Sequence, residues 1–289
     1  MKYRVVHRTE YDYTTSATLC HSLARLTPRN VRGQRCLGHY LAVDPMPAVM
    51  ESRVDYFGNE VVYFSLEQPH EAMRVTATST VECERVPETP ERVRWREVGE
   101  AWSGVPREEQ LAVREATLES PMIPGFPGLA DLARPSFDRH EDLWEAVVDF
   151  TRRIYAEFTF DPAFTTLATP LRDVVEHRRG VCQDFAHLAI GGLRAMGLAA
   201  RYVSGYLETA PPPGKEKLIG ADASHAWVSV YVPGSGWVDV DPTNNQRPDD
   251  RYIVIGWGRD YADLAPLKGV FFGGGSHTLK VSVDVDRLV

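Results

Sequence analysis

A chain of 289 residues, 43% hydrophobic and 25% charged, is long enough for two domains and has the balance of a soluble globular protein, with 22 Gly and 20 Pro marking many turns. The 32 basic and 40 acidic residues give a net charge of −8 with no long block of one sign, which argues against a nucleic-acid partner or an anionic membrane surface. Cys20, Cys36, Cys83 and Cys182 stand singly, without a CxxC pair or a zinc-type histidine spacing, so no metal or cofactor is expected and three of the four read as small buried hydrophobes.

The opening MKYRVVHRTEYDY is polar and alternating, without the apolar core of a signal peptide, and no run of about 18 apolar residues occurs. The expectation is a cytoplasmic protein in a reducing compartment, with no membrane association. From Met1 to about Val86 short strands follow one another between Pro, Gly and Asn turns, as in a β-sandwich. Within them FGNEVVYF reads as a hairpin, with Gly58-Asn59 supplying positive φ angles.

Between about Pro87 and Phe137 the composition shifts to Glu, Arg and Pro, and PMIPGFPG reads as rigid, non-helical punctuation. Arg92, Arg94 and Arg96 would line the solvated face of a strand there. A helix is expected after Glu141 and Asp142, with Leu143, Trp144, Val147, Val148, Ile154 and Tyr155 on its apolar face. A second follows Gly180: Phe185, Leu188, Ala189, Gly192 and Met196 form one stripe, Asp184, His187, Gly191 and Arg194 lie opposite, and Gly197 closes it. The strands ARYVSGYL, SHAWVSVYV (after a PPPG loop), GWVDVDP and HTLKVSVDVDRLV complete the chain. Strands, connection, helices and strands in that order make an α+β protein, divided as a β-rich domain over 1–90, a connection over 91–138 and a core over 139–289.

Cys182 falls in the first turn of the second helix, where backbone amides and the macrodipole favour a negative charge and so the reactive thiolate. The same amides could receive the oxyanion of a tetrahedral intermediate. A lone helical cysteine is ordinarily packing; the downstream strands change that reading. In SHAWVSVYV, Ala226, Val228, Val230 and Val232 share one face, and in GWVDVDP Val238 and Val240 do the same. All six meet on one face only in a register where paired residue numbers have an even sum. A three-residue connection at 233–235 pairs Val232 with Gly236, and His225 and Asp241 then lie on the same side, about 7–8 Å apart along the diagonal. An imidazole oriented by a carboxylate is what a catalytic base requires. Asp239, nearer the turn, is expected to be solvated or structural, and His177 and His187 to lie at the surface.

With these residues in place, GVCQDFAHLAIGGLRAMGLAARYVSGYL, SHAWVSVYVPGSGWVDVDPTNN and GRDYADLAPLKGV resemble the bacterial transglutaminase-like superfamily, whose fold is that of papain-like cysteine proteinases. HSLARLTPR and DYFGNEVVYFSLEQPH resemble the β-rich domain that precedes this core in bacterial members. The resemblance implies a catalytic triad of Cys182, His225 and Asp241 acting on peptide or protein amides through a thioester. Water as acceptor makes a peptidase or amide hydrolase, the favoured reading; an amine makes a protein-glutamine gamma-glutamyltransferase. The other readings are a binding module that has lost chemistry and a metal site on the same three residues. Beside the Cys182 amide, the second oxyanion donor is sought in an aromatic or amide side chain between Tyr155 and Phe160, and Gln183 either shapes the pocket or faces solvent.

Overall fold

The computed structural model describes residues 1–84, 89–102, 106–166, 169–209 and 224–288. The PPPG loop and residues 87–88 of the connection lie outside the described residues. The strands of the first part are β1 (Lys2–Ala24), β2 (Gln34–Asp44), β3 (Val49–Val54), β4 (Glu60–Leu66) and β5 (His70–Cys83). The connection holds α1 (Val98–Ala101), α2 (Arg107–Glu115) and α3 (Pro127–Arg139). Then come α4 (Leu143–Glu157), β6 (Thr159–Phe160), α5 (Leu171–His177), β7 (Arg179–Gly180), α6 (Cys182–Ala195), β8 (Ala200–Leu207), β9 (Ser224–Val232), β10 (Gly236–Val240) and β11 (Tyr252–Gly258). The chain closes with α7 (Tyr261–Leu264), β12 (Leu267–Gly273) and β13 (His277–Leu288).

The protein is α+β, an antiparallel N-terminal sheet beside a papain-like core. β1 organises the first sheet because it changes partners along its length: Lys2–Asp12 lies between β5 and β13, Cys20–Ala24 between β4 and β12. A register shift between Ala17 and Leu19 moves the buried positions from odd (Tyr3, Val5, Tyr13, Ala17) to even (Cys20, Ser22, Ala24), as an inserted residue must in a period-2 element. Residues of β4 (Val62, Phe64, Leu66) and of β2 and β5 (Leu41, Met73, Val75, Ala77) then share one apolar cluster. The last two strands hydrogen-bond to β1 and not to the sheet that carries His225.

The core sheet runs β10-β9-β8-β11, all antiparallel. Ala226, Val228, Val230, Val232, Val238 and Val240 face α6 in the main hydrophobic cluster, the face assigned to them by alternation. The hairpin register is also the one read from that pattern, with Val232 opposite Gly236 and Val228 opposite Val240. Tyr206, Ile253 and Ile255 pack against Tyr3, Val5, Val81, Val283 and Val285 of the first sheet.

The expected polar face of α6 is absent. Asp184, His187, Gly191 and Arg194 are all buried, because α3, α4 and α5 pack against the sides of α6 that the sheet leaves open. Gly192 is needed for that packing: a Cβ there would stand 2.5 Å from the Phe150 ring. Arg194 is an internal clasp, donating to the carbonyls of Ala116, Ala200 and Arg259 and to Ser120 Oγ.

Two other expectations are corrected. Gly58 has a positive φ of 78°, but Asn59 does not; it is buried and its amide clips the edge of β11, donating to Trp257 O at 2.9 Å and accepting from Trp257 N at 3.1 Å. Gln34 does the same for Val254, at 2.8 and 2.7 Å, so side chains of the first sheet satisfy the open edge of the core sheet. Arg92, Arg94 and Arg96 are exposed but lie on no strand, since a 3-10 turn occupies Trp95–Glu97.

Candidate functional site

α6 begins at Cys182 because Val181 is extended and its N–H is taken by the Asp184 carboxylate at 2.8 Å. The chain enters tightly: a Cβ on Gly180 would stand 2.8 Å from both Cβ and Oδ2 of Asp184. Cys182 is half-buried at this helix end.

His225, at the start of β9, is 9% exposed, and its Nε2 lies 2.7 Å from Asp241 Oδ2. Cys182 is near enough to act on the ring, and with Nε2 on the carboxylate the nitrogen left for the thiol is Nδ1. The three residues singled out by sequence are therefore brought together. Burial opposes a charge on His225, but hydrogen bonds and Coulomb attraction from Asp241 and Cys182 outweigh it and raise its pKa to about 10.

Asp241 is wholly buried and accepts five hydrogen bonds. Oδ1 takes the N–H groups of Thr243 (2.8 Å) and Asn244 (3.2 Å), and Oδ2 takes His225, Asn244 Nδ2 (2.7 Å) and the Tyr252 hydroxyl (2.7 Å). Burial alone would raise its pKa, yet these donors hold it below the ordinary carboxylate value. Gln246 Nε2 in turn donates to the Tyr252 hydroxyl at 2.6 Å, so the phenol spends its own proton on Asp241.

Asn244, Gln246 and Tyr252 were not singled out from sequence. Asn244 had a readable signal, an Asx turn in Asp-Pro-Thr-Asn. The signal for Tyr252 was the run YIVIGWG, β-branched and aromatic after the Asp249-Asp250 turn, which marks the strand β11 that sequence reading passed over.

Asp239 is structural as expected, its Oδ2 accepting from the Trp227 indole at 3.0 Å. His177 is exposed, but His187 is not at the surface: it is 3% exposed, it accepts from the Tyr261 N–H at 3.2 Å, and burial lowers its pKa. Gln183 lines a cavity of about 480 Å³ with Asp184, His187, Met122, Phe126 and Arg172. From the Tyr155 to Phe160 stretch no donor emerges, since Tyr155 is largely exposed and Phe160 sets its ring edge against Phe185. Among the described residues no group of three or more His, Cys, Asp or Glu side chains is arranged to hold a metal ion.

Residues 3–82 match the bacterial transglutaminase-like N-terminal region and residues 130–242 the transglutaminase-like superfamily. An uncharacterised protein of Mycobacterium tuberculosis is 42% identical over 299 aligned positions, covering 98% of this chain and 92% of that protein. Another from Mycobacterium leprae is 36% identical over 289, covering 99% and 98%. A protein-glutamine gamma-glutamyltransferase of Pseudomonas aeruginosa is 30% identical over 155 residues, 52% of this chain but 23% of that protein. The fold superposes on the crystal structure of a protein of Cytophaga hutchinsonii suggested to be a cysteine protease, with a TM-score of 0.75, 21% identity and coverage of 100% and 92%. None of the described helices is long and apolar enough to cross a membrane. The chain thus belongs to the transglutaminase-like superfamily, with a bacterial transglutaminase-like N-terminal region ahead of its core.

Proposed function

We propose that this protein is a cysteine-dependent acyl-transfer enzyme that hydrolyses amide bonds of peptides or proteins, with Cys182 as nucleophile, His225 as acid and base, and Asp241 as the carboxylate that orients His225. The observation that carries the proposal is a single imidazole held by Asp241 at 2.7 Å and acted on at the same time by a cysteine at a helix N-terminus.

In this mechanism the Cys182 thiolate attacks the amide carbon, and the oxyanion is received by the Cys182 N–H at the start of α6. His225, protonated by virtue of its raised pKa, gives the Nδ1 proton to the departing nitrogen as the C–N bond breaks, leaving an amine and a thioester. Water then adds to the thioester, His225 takes its proton, and collapse releases a carboxylic acid and restores the thiolate.

A second reading, with a primary amine in place of water, draws support from the partial likeness to the Pseudomonas aeruginosa protein-glutamine gamma-glutamyltransferase. One assay separates the two: glutamine-containing peptides and peptide amides are incubated with the protein, with and without a labelled primary amine. Hydrolysis gives free acid whether or not amine is present, and transamidation gives labelled peptide at the expense of acid. Unchanged substrate in every arm, from protein whose Cys182 nevertheless alkylates readily, would sink both readings in favour of a binding module.

A further inference from the structure

On the face of the core sheet turned away from α6 lies a cation, stacked on indoles, whose Nε has no hydrogen-bond acceptor. Arg201, on β8, lies between two indoles, its guanidinium carbon 4.2 Å from the Trp237 ring centroid and 3.9 Å from that of Trp257. Arg29 covers Trp257 as well, at 3.6 Å. Trp rings hold a cation by their negative faces but offer the guanidinium no acceptor in its own plane. Among the described residues none supplies one: Arg201 Nε is buried without a hydrogen-bond partner, and no carboxylate forms an ion pair with it. Asp239 is near enough to favour its charge electrostatically, but the Asp239 carboxylate receives the Trp227 indole. Burial and the neighbouring Arg29 both work against that charge.

Arg201 opens onto a cavity of about 350 Å³ between the β3–β4 turn, α2 and the sheet edge, with Tyr56, Phe57, Leu111, Ala112, Trp237 and Trp257 in its walls. Tyr56 and Leu111 leave 76% and 59% of their surface exposed beside it. Two acids also line the pocket. Glu115 is engaged by the Tyr56 hydroxyl, and Glu108 sits in the exposed first turn of α2. Arg259, a third charged group in the wall, is matched by Asp263 at 2.9 Å. Arg201 is thus the lining cation without a carboxylate against it.

From this arrangement we infer a ligand site, separate from Cys182, for a carboxylate carrying an aromatic or branched apolar body: the carboxylate meets the Arg201 guanidinium and the apolar body lies against Phe57, Leu111 and the two indoles. Paired donation from a planar guanidinium to a carboxylate is among the stronger polar contacts available, and it supplies the acceptors Arg201 lacks. Either a free small acid or the C-terminal residue of a peptide has this chemistry.

The test titrates the full chain with sodium benzoate and with its neutral isostere benzamide, following heat of binding and the indole N–H resonances of Trp237 and Trp257. N-acetyl-Gly-Phe with a free C-terminus, and its C-terminal amide, are titrated into Cys182→Ala, where the proposed chemistry cannot consume them. Saturable binding of a carboxylate that shifts both indole resonances, at least tenfold tighter than the matching amide, is expected. Binding of benzoate alone identifies a small acid, and equal or tighter binding of the free-acid peptide identifies a C-terminus. Arg201→Gln should weaken the carboxylate at least tenfold. Leu111→Glu, on the exposed face of α2, should do the same by placing a like charge in the pocket, and it keeps the test valid where Arg201→Gln fails to fold. Absence of saturable binding by either acid, equal binding of acid and amide, or undiminished binding in the folded variants overturns the inference.

Discussion

Two buried histidines beside α6 end in opposite states. His225, at the Cys182 end, is 9% exposed and its pKa is raised to about 10; His187, one turn and a half along the helix, is 3% exposed and its pKa is lowered. Burial acts on both in the same direction, against the cation. The difference lies in what each ring faces. His225 meets a carboxylate fixed by four other hydrogen bonds and a thiol at a helix N-terminus, while His187 accepts a backbone N–H, which suits only a neutral ring. Partner geometry, more than depth, decides which buried histidine holds a proton, and the consequences can be measured.

The largest expected effect is at the site itself. Cys182→Ala should abolish amide turnover, and His225→Ala should lower it by roughly 10³-fold or more, measured as kcat/KM on a peptide amide. His187→Gln, which can still accept the Tyr261 N–H, should stay within about tenfold of the parent. Comparable losses in both histidine variants would erase the distinction. Iodoacetamide with mass-spectrometric mapping provides an independent check: Cys182 should react first among the four cysteines. Burial pushes the thiols of Cys20, Cys36 and Cys83 up, the last to about 12.

Next in size is Asp241→Asn, expected to cost about 10²–10⁴ in kcat/KM by loosening the imidazole and its tautomer. It should also move the alkaline limb of the pH profile from near 10 in the parent toward the ordinary histidine value of about 6.5. A parent limb already near that value would contradict the raised pKa of His225.

Stability should depend on pH with opposite signs at the two rings. His225 has a folded pKa above its unfolded value, so its contribution is complete below about pH 6.5 and is lost as pH rises toward about 10. For His187 the folded pKa is depressed; the unfolded chain binds the proton first, and stability is lost as pH falls below about 6.5. Urea denaturation across pH should show the alkaline loss vanish in His225→Ala and the acid loss diminish in His187→Gln.

The smallest effect is expected for Tyr252→Phe, which removes one donor of five from Asp241. A cost of about 1–2 kcal/mol in unfolding free energy, and an alkaline limb lowered by less than the shift in Asp241→Asn, would place Tyr252 as a positioning residue. A stability loss with no movement of the limb would reduce it to a structural contact.

Much of the site was legible without coordinates. Six aliphatic residues at period 2 restrict the β9–β10 hairpin to registers of even sum, since a slip by one residue would expose every valine, and the short connection selects the observed one, which carries His225 and Asp241 to one side. Gly180 before a helical stripe likewise put Cys182 at a helix start. What sequence could not show is what covers a surface. α6 has polar residues opposite its apolar stripe, the pattern of a solvated face, and only the packing of α3, α4 and α5 turns Arg194 and His187 inward, where carbonyls and an N–H from distant segments meet them. Asn59 has the composition of a turn residue, and its true partner, the edge of β11, lies nearly 200 positions away in the chain. Local periodicity determined the elements and the pairing of Asp241 with His225. The anchoring of Asp241 by Tyr252, the return of β12 and β13 to β1 and the bare guanidinium of Arg201 belong to tertiary structure alone, because each depends on which groups distant segments leave within hydrogen-bonding reach.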